Sequence, residues 1–295
     1  MKKNLILFLS VFLLGCSKNS VVLSTLSREW VSDGWEYTLE NRTLNGDTLS
    51  MFSCGRNYCF LLQGGVCSLE YIPDDNNWRV SIFCNGEKEI VNDRIKATEV
   101  LPVPIYTNTL QHVVLRTWDN EGGNFDTFKV IDLKKKGETT VTVSDKYVSP
   151  TERTPGLCFA YFKSLDDGEE IRVVDMEKGE VTVCAKSKDL MIFSTEEFVR
   201  RRIEWKDSSS FVFCVRNTDT DFLTFYLYDY ITGKTEKMLE VSNPPVDFSL
   251  EHFSFSFHNK DLYLLGDEGI FLKKRRGFAQ VLYSENLIDF IFFHN

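Results

Sequence analysis

The sequence predicts an all-β fold, a β-propeller-like array of about six blades. Three observations carry that prediction: strands that alternate apolar and polar residues, an internal repeat ending in Asp-turn-Gly, and prolines spaced at blade-like intervals. The composition agrees. With 295 residues, 43% hydrophobic and 26% charged, the chain is an ordinary globular one, not disordered, collagenous or coiled-coil. Its 24 Phe and 11 Tyr against 17 Gly and 7 Pro favour strands packed face to face.

From Trp35 onward strand follows strand. Thr48–Phe52, Trp78–Phe83 and Phe253–Phe257 alternate with a period of two, the mark of half-buried strands. Three stretches then superimpose: Phe128–Asp132 followed by Gly137, Ile171–Asp175 by Gly179, and Phe225–Asp229 by Gly233. Each has an apolar run upstream, Val113–Trp118, Leu157–Phe162 and Phe211–Val215, reached across a polar turn at Asp119–Asn124, Leu165–Gly168 or Asn217–Asp221. That gives three successive antiparallel strands per unit.

Pro102 and Pro104, then Pro150, then Pro244 and Pro245 fall near multiples of about 47 residues. Proline cannot donate to a ladder, so it belongs between units. The remaining gap carries Ser194-Thr195-Glu196-Glu197, a capping box that predicts one short helix to about Arg202. A last, worn unit covers Phe253–Phe257, Leu262–Leu264, Gly269–Lys273 and Phe278–Tyr283. Between Trp35 and Val103 strands are clear while the repeat is not, so two units there are inferred from length. A period of roughly 40 to 50 residues with three to four strands is that of a propeller blade. Five or seven blades, or a two-sheet β-sandwich, are the alternatives.

The N-terminus reads differently. Lys2 and Lys3 precede an apolar run from Leu5 to Leu14, then Leu13-Leu14-Gly15-Cys16. The run is shorter than the roughly 20 residues that span a bilayer, so it is a signal h-region and not an anchor. The segment resembles the signal peptide of bacterial lipoproteins. That resemblance implies removal of residues 1–15, diacylglycerol on the Cys16 thiol, and a palmitate-bearing N-terminus. Residues 16–30 then form the lipidated cysteine and a tether, and 31–295 the propeller-like domain. Ser17, where an Asp would signal inner-membrane retention, favours the outer membrane, facing the periplasm or the surface.

Seven cysteines remain for an oxidising envelope, and seven is odd, so at least one thiol stays free or pairs between molecules. Cys54 and Cys59 flank Gly-Arg-Asn-Tyr, a hairpin-like stretch, and form the first candidate disulfide; Cys67 and Cys84 form the next. Cys158, Cys184 and Cys214 read as small buried hydrophobes. Zinc needs paired short spacings, and one C-x₄-C with scattered His112, His252, His258 and His294 does not supply them.

Nothing in the chain spells a reaction. It has no Gly-x-Ser-x-Gly elbow, no phosphate-cradling Gly-x₄-Gly-Lys loop and no Gly-x-Gly-x-x-Gly. The acidic clusters Asp74-Asp75, Asp119-Asn120-Glu121 and Asp166–Glu170 sit where turns are needed. The recurring Asp132, Asp175 and Asp229 read as strand-ending acceptors for the turn that follows. Lys134–Lys136, Arg200–Arg202 and Lys273–Arg276 read as solvated turns and a helix end, and the five tryptophans, Trp30, Trp35, Trp78, Trp118 and Trp205, as packing.

A net charge of −9, two units more negative once Lys2 and Lys3 are cleaved away, argues against nucleic acid as partner. The expectation is a lipid-anchored envelope protein that binds a protein partner without catalysis or cofactor, as an envelope scaffold or a toxin-neutralising immunity lipoprotein. A propeller enzyme acting on glycans is the alternative.

Overall fold

The computed structural model describes residues 23–32, 34–43, 47–55, 58–62, 65–84, 87–106, 111–117, 126–145, 156–165, 168–187, 203–217, 222–245, 254–266, 268–284 and 286–292. They form six small antiparallel sheets arranged as the blades of a propeller. Blade 1 contains β1 (Leu23–Val31), β2 (Gly34–Arg42) and β3 (Thr48–Gly55). Blade 2 contains β4 (Tyr58–Leu62), β5 (Gly65–Ile72), β6 (Asn77–Cys84) and β7 (Glu87–Lys96). Blade 3 contains β8 (Val100–Tyr106), β9 (His112–Thr117), β10 (Asp126–Asp132) and β11 (Gly137–Val143). Blade 4 has three strands among the described residues, β12 (Cys158–Leu165), β13 (Gly168–Asp175) and β14 (Glu180–Ser187). Blade 5 contains β15 (Ile203–Trp205), β16 (Ser210–Asn217), β17 (Phe222–Asp229) and β18 (Lys234–Ser242). Blade 6 contains β19 (Ser254–His258), β20 (Asp261–Gly266), β21 (Gly269–Lys273) and β22 (Phe278–Tyr283).

The final strand, β23 (Leu287–Phe292), returns to blade 1. It pairs antiparallel with β1, Leu23 opposite Phe292, and supplies that blade's innermost strand. There it lies against β19 and β4, the innermost strands of the two neighbouring blades, which closes the ring.

The core lies between blades, not within them. Six apolar clusters each join one blade to the next, from Leu26, Tyr37 and Leu39 against Leu61 and Val66 round to Leu265 and Ile270 against Leu23, Phe290 and Phe292. Second strands are therefore covered on both faces. Val113-Val114-Leu115 and Phe159-Ala160-Tyr161 are wholly buried, which is why those stretches read as continuous apolar runs. Fourth strands are the reverse: β11 and β18 each open with four exposed residues. The third-to-fourth pairing is bulged in blades 1, 2, 4, 5 and 6, a device that sharpens local twist. Six separate sheets leave no place for a β-sandwich.

Three expectations are revised. Strand β1 begins at Leu23, so residues 23–30 belong to the propeller and not to the tether; the alternation in Leu23–Leu26 is masked in sequence because all four residues are buried. Cys54 and Cys59 do not bracket a hairpin, because β3 and β4 belong to different sheets. The innermost strand of blade 1 comes from the C-terminus, a stretch the repeat left unassigned. The expected helix at 194–202 falls outside the described residues.

Candidate binding rim

Turns joining first to second and third to fourth strands share one rim with Leu23, the start of β1; it is the proximal rim. Turns joining second to third strands, and each blade to the next, share the other, distal rim, because β1 runs nine residues to Val31, about 30 Å at about 3.3 Å per residue.

The recurring aspartates build the proximal turns. Asp132 Oδ1 accepts hydrogen bonds from the Lys134 and Lys135 amides (2.9 and 2.8 Å), Asp175 Oδ1 from Glu177 and Lys178 (2.9 and 3.3 Å), and Asp229 Oδ1 from Ile231 and Thr232 (3.0 and 2.8 Å). The residue after each Asp sends its amide back to the lead-in of the second strand: Leu133 to Gln111, Met176 to Leu157, Tyr230 to Ser209. The Lys135 amide, with His112 and Lys135 nearby, holds Asp132 below the ordinary aspartate pKa. Burial pushes Asp175 up, but Lys178 and the turn amides outweigh it and leave it lowered. These carboxylates are committed to turns, as their spacing predicts.

Other acidic and basic stretches divide in the same way. Asp74 and Asp75 form the exposed turn after β5, and Lys134–Lys136 and Lys274–Arg276 are exposed turns. Asp119–Asn124, Asp166-Asp167, Arg200–Arg202, Trp118, His252 and His294 fall outside the described residues, as do Cys16 and the whole of 1–22.

Sequence reasoning missed the distal tips. Trp30 and Trp35 pair across the β1–β2 hairpin, their rings 5.3 Å apart and 83° inclined, yet they are 58% and 40% exposed. Arg28 lies over the Trp35 ring at 4.4 Å. The next tip repeats the arrangement: Tyr71 and Trp78 pair across β5 and β6 at 5.2 Å, with Tyr71 45% exposed and its hydroxyl donating to Asn76. Tyr283, at the distal end of β22, is also exposed. Trp78 packs against the core between blades 2 and 3, and Trp205 is buried between blades 4 and 5. The packing expectation holds for those two and fails for Trp30 and Trp35. The available signal was their position on either side of Val31-Ser32-Asp33-Gly34, whose Asp-Gly pair suits a tight turn.

Two polar clusters join neighbouring blades. Asp145 accepts from Tyr161 (2.6 Å), Lys163 (2.9 Å) and Arg172, which also grips Glu170, joining blades 3 and 4. Glu204 on β15 accepts from Ser256 Oγ (2.8 Å) and the Phe257 amide (3.0 Å) of β19, linking two innermost strands. Among the described residues no three His, Cys, Asp or Glu side chains stand close enough to hold a metal ion.

Cys54 and Cys59 meet in the joint between blades 1 and 2, both buried and both thiols, with Cys59 Sγ also 4.0 Å from the Cys54 carbonyl. The hydrogen bond between the sulfurs holds the Cys54 thiol below its usual pKa and pushes Cys59 far up. Cys67 is a buried thiol on β5; the side chain of Cys84 falls outside the description.

No protein-family model matches the chain, and no curated protein matches it significantly in sequence. Solved structures do match in fold. An oligogalacturonate lyase in complex with manganese aligns at 13% identity over 84% of this chain and 70% of that one, with a TM-score of 0.53. A second such lyase, from Vibrio parahaemolyticus, aligns at 11% over 84% and 71%, with a TM-score of 0.52. TolB from Acinetobacter baumannii aligns at 12% over 92% and 70%, with a TM-score of 0.49. At such identities the likeness is one of fold.

Proposed function

We propose that this chain is a bacterial envelope lipoprotein, acylated at Cys16 and held at the outer membrane by that lipid, whose propeller binds a protein partner without catalysis. The scaffold and immunity readings share that mechanism. One observation carries the binding reading: two exposed tryptophans stand together at a distal tip, with the half-buried Arg28 laid over one of them. Trp, Tyr and Arg dominate the energetic centres of protein interfaces, because large rings exclude water at low conformational cost. Burying a ring of that size is worth about 1.5 to 3 kcal/mol, so leaving two in water needs a reason beyond folding. The Asp turns of the proximal rim, by contrast, are occupied with holding strands together.

Site-specific photocrosslinking in the native envelope tests this. A benzophenone amino acid at Glu29, beside the Trp pair, should yield a discrete protein adduct that Trp30→Ala abolishes, while the same probe at Ile231 on the proximal rim should yield none. Cys16→Ser should leave the precursor uncleaved and without fatty-acid label. Equal protein adducts from both rims would refute the assignment of the rim, and turnover of a glycan panel by purified protein would refute the binder reading.

A further inference from the structure

Among the described turn residues, the two rims differ in charge. Those on the proximal rim hold nine Lys and Arg, Lys134–Lys136, Lys178, Lys206, Lys260 and Lys274–Arg276, against Asp47, Glu177 and Asp207 and the three turn-building aspartates Asp132, Asp175 and Asp229. Those on the distal rim hold Asp74, Asp75, Glu99, Asp145 and Glu268 and no Lys or Arg, although Asp145 is paired with Lys163 and Arg172, and Glu99 with Lys96 and Lys129. In an acidic chain this partition is the opposite of a uniform surface.

Some of the proximal cations are partly spent. Lys135 and Lys178 pair with the turn aspartates at 3.8 and 2.9 Å, Lys136 reaches Glu89 at 3.3 Å, and Lys206 lies over Phe257. All nine are nonetheless exposed, and the pairs are of the surface kind that solvent weakens. One of the two runs of three, Lys274-Arg275-Arg276, belongs to blade 6, next to the blade that receives the N-terminal segment.

That segment fixes the geometry. Leu23 starts β1 on the proximal rim, and only residues 17–22 separate it from Cys16. The seven residue steps from Cys16 to Leu23 reach about 25 Å at most. A lipid on Cys16 therefore holds the propeller close to the bilayer with its proximal rim nearest, free to come within the Debye length of about 8 to 10 Å over which Lys and Arg respond to an anionic surface.

We propose that the proximal rim docks on anionic phospholipid headgroups beside the lipid anchor, as the second signal that fixes the propeller's orientation. One acyl signal plus a basic patch is a recognised way of making membrane attachment stable. The distal rim, with Trp30 and Trp35, then faces away from the membrane, where a partner can reach it. The inference rests on the reading of Cys16 as the acylated residue.

Full-length mature lipoprotein in vesicles provides the test, with a benzophenone amino acid at Arg275 or at Asp75 and fluorescent phospholipid as reporter. In vesicles with about one third phosphatidylglycerol, lipid adducts should form from position 275 at least about fivefold more than from position 75. Replacing phosphatidylglycerol by phosphatidylcholine, raising salt, or introducing Lys274→Glu with Arg276→Glu should erase the difference. Equal adducts from both positions, or a difference indifferent to lipid charge and salt, would overturn the orientation. Absence of fatty acid on Cys16 in the native host would overturn the anchorage reading instead, so the two failures are distinguishable. A thermal melt unchanged by the double charge reversal verifies folding.

Discussion

Cys54 and Cys59 bear on stability because of where they sit. A disulfide between them would join the last strand of blade 1 to the first of blade 2, across the joint filled by Leu26, Tyr37, Leu61 and Val66. The paired sulfurs already share a hydrogen bond, and a thiol–disulfide exchange protein of the envelope can accept the two electrons and two protons that their bonding releases. Protein isolated unreduced from an oxidising envelope should show Cys54 and Cys59 protected from alkylation, and reducing the bond should cost about 2 to 3 kcal/mol on the chain-entropy model. Mass spectrometry that finds both alkylated would exclude the bridge. The spacing of this pair was legible in the sequence, but its hairpin setting was not, since Gly-Arg-Asn-Tyr suits a tight turn as well as a blade connection. Trp30 and Trp35 misled for a related reason: periodicity places them on the same face as Tyr37 and Leu39, yet the hairpin carries them beyond the neighbouring blade that covers that face.

Turns between third and fourth strands are where the repeat is most literal, and where its one irregularity has a physical cause. The residue four after each Asp takes a left-handed conformation: Gly179 (φ 70°), Gly233 (φ 68°) and, in blade 3, Lys136 (φ 55°). Gly137, which the sequence alignment matched to them, lies one residue late. The two glycines also differ in surroundings. A Cβ on Gly179 would meet the Thr142 carbonyl oxygen of blade 3 at 2.4 Å, whereas at Gly233 the nearest atom is the Tyr228 hydroxyl at 3.9 Å. Gly233→Ala should therefore cost only its backbone penalty, about 1 kcal/mol. Gly179→Ala should cost more, because the blade 3–blade 4 contact must also open. Urea unfolding of the two variants measures this, and equal losses would contradict the close approach. Lys136→Gly in the same assay should stabilise slightly.

At the scale of the whole ring, six blades and their inter-blade core follow from a period that the middle of the chain displays openly. Blades 1 and 2 show it poorly because their turns lack the Asp-x₃-Gly signature. Closure was hidden for a different reason: one blade is shared between the two ends of the chain, so no local pattern marks β23 as part of blade 1. Its side chains carry the last interface. Leu287, Phe290 and Phe292 are buried against Leu23, Tyr263, Leu265 and Ile270, and the Phe292 ring stacks on His258 at 4.6 Å and meets Tyr263 at 4.5 Å. Removing Phe290, wholly buried, forfeits both its transfer free energy and the packing of a cavity that two blades cannot collapse to fill, a cost of about 3 to 5 kcal/mol. Phe290→Ala should lower the unfolding midpoint accordingly. Ending the chain before Leu287 should do something qualitatively different, because it exposes the edge of β1 and opens the ring between blades 6 and 1. Hydrogen exchange should then quicken first in β1, β19 and β20, on either side of the gap, while β9, β10, β12 and β13 keep their protection. A truncated chain whose exchange rises evenly round all six blades would show that closure is not held by this strand.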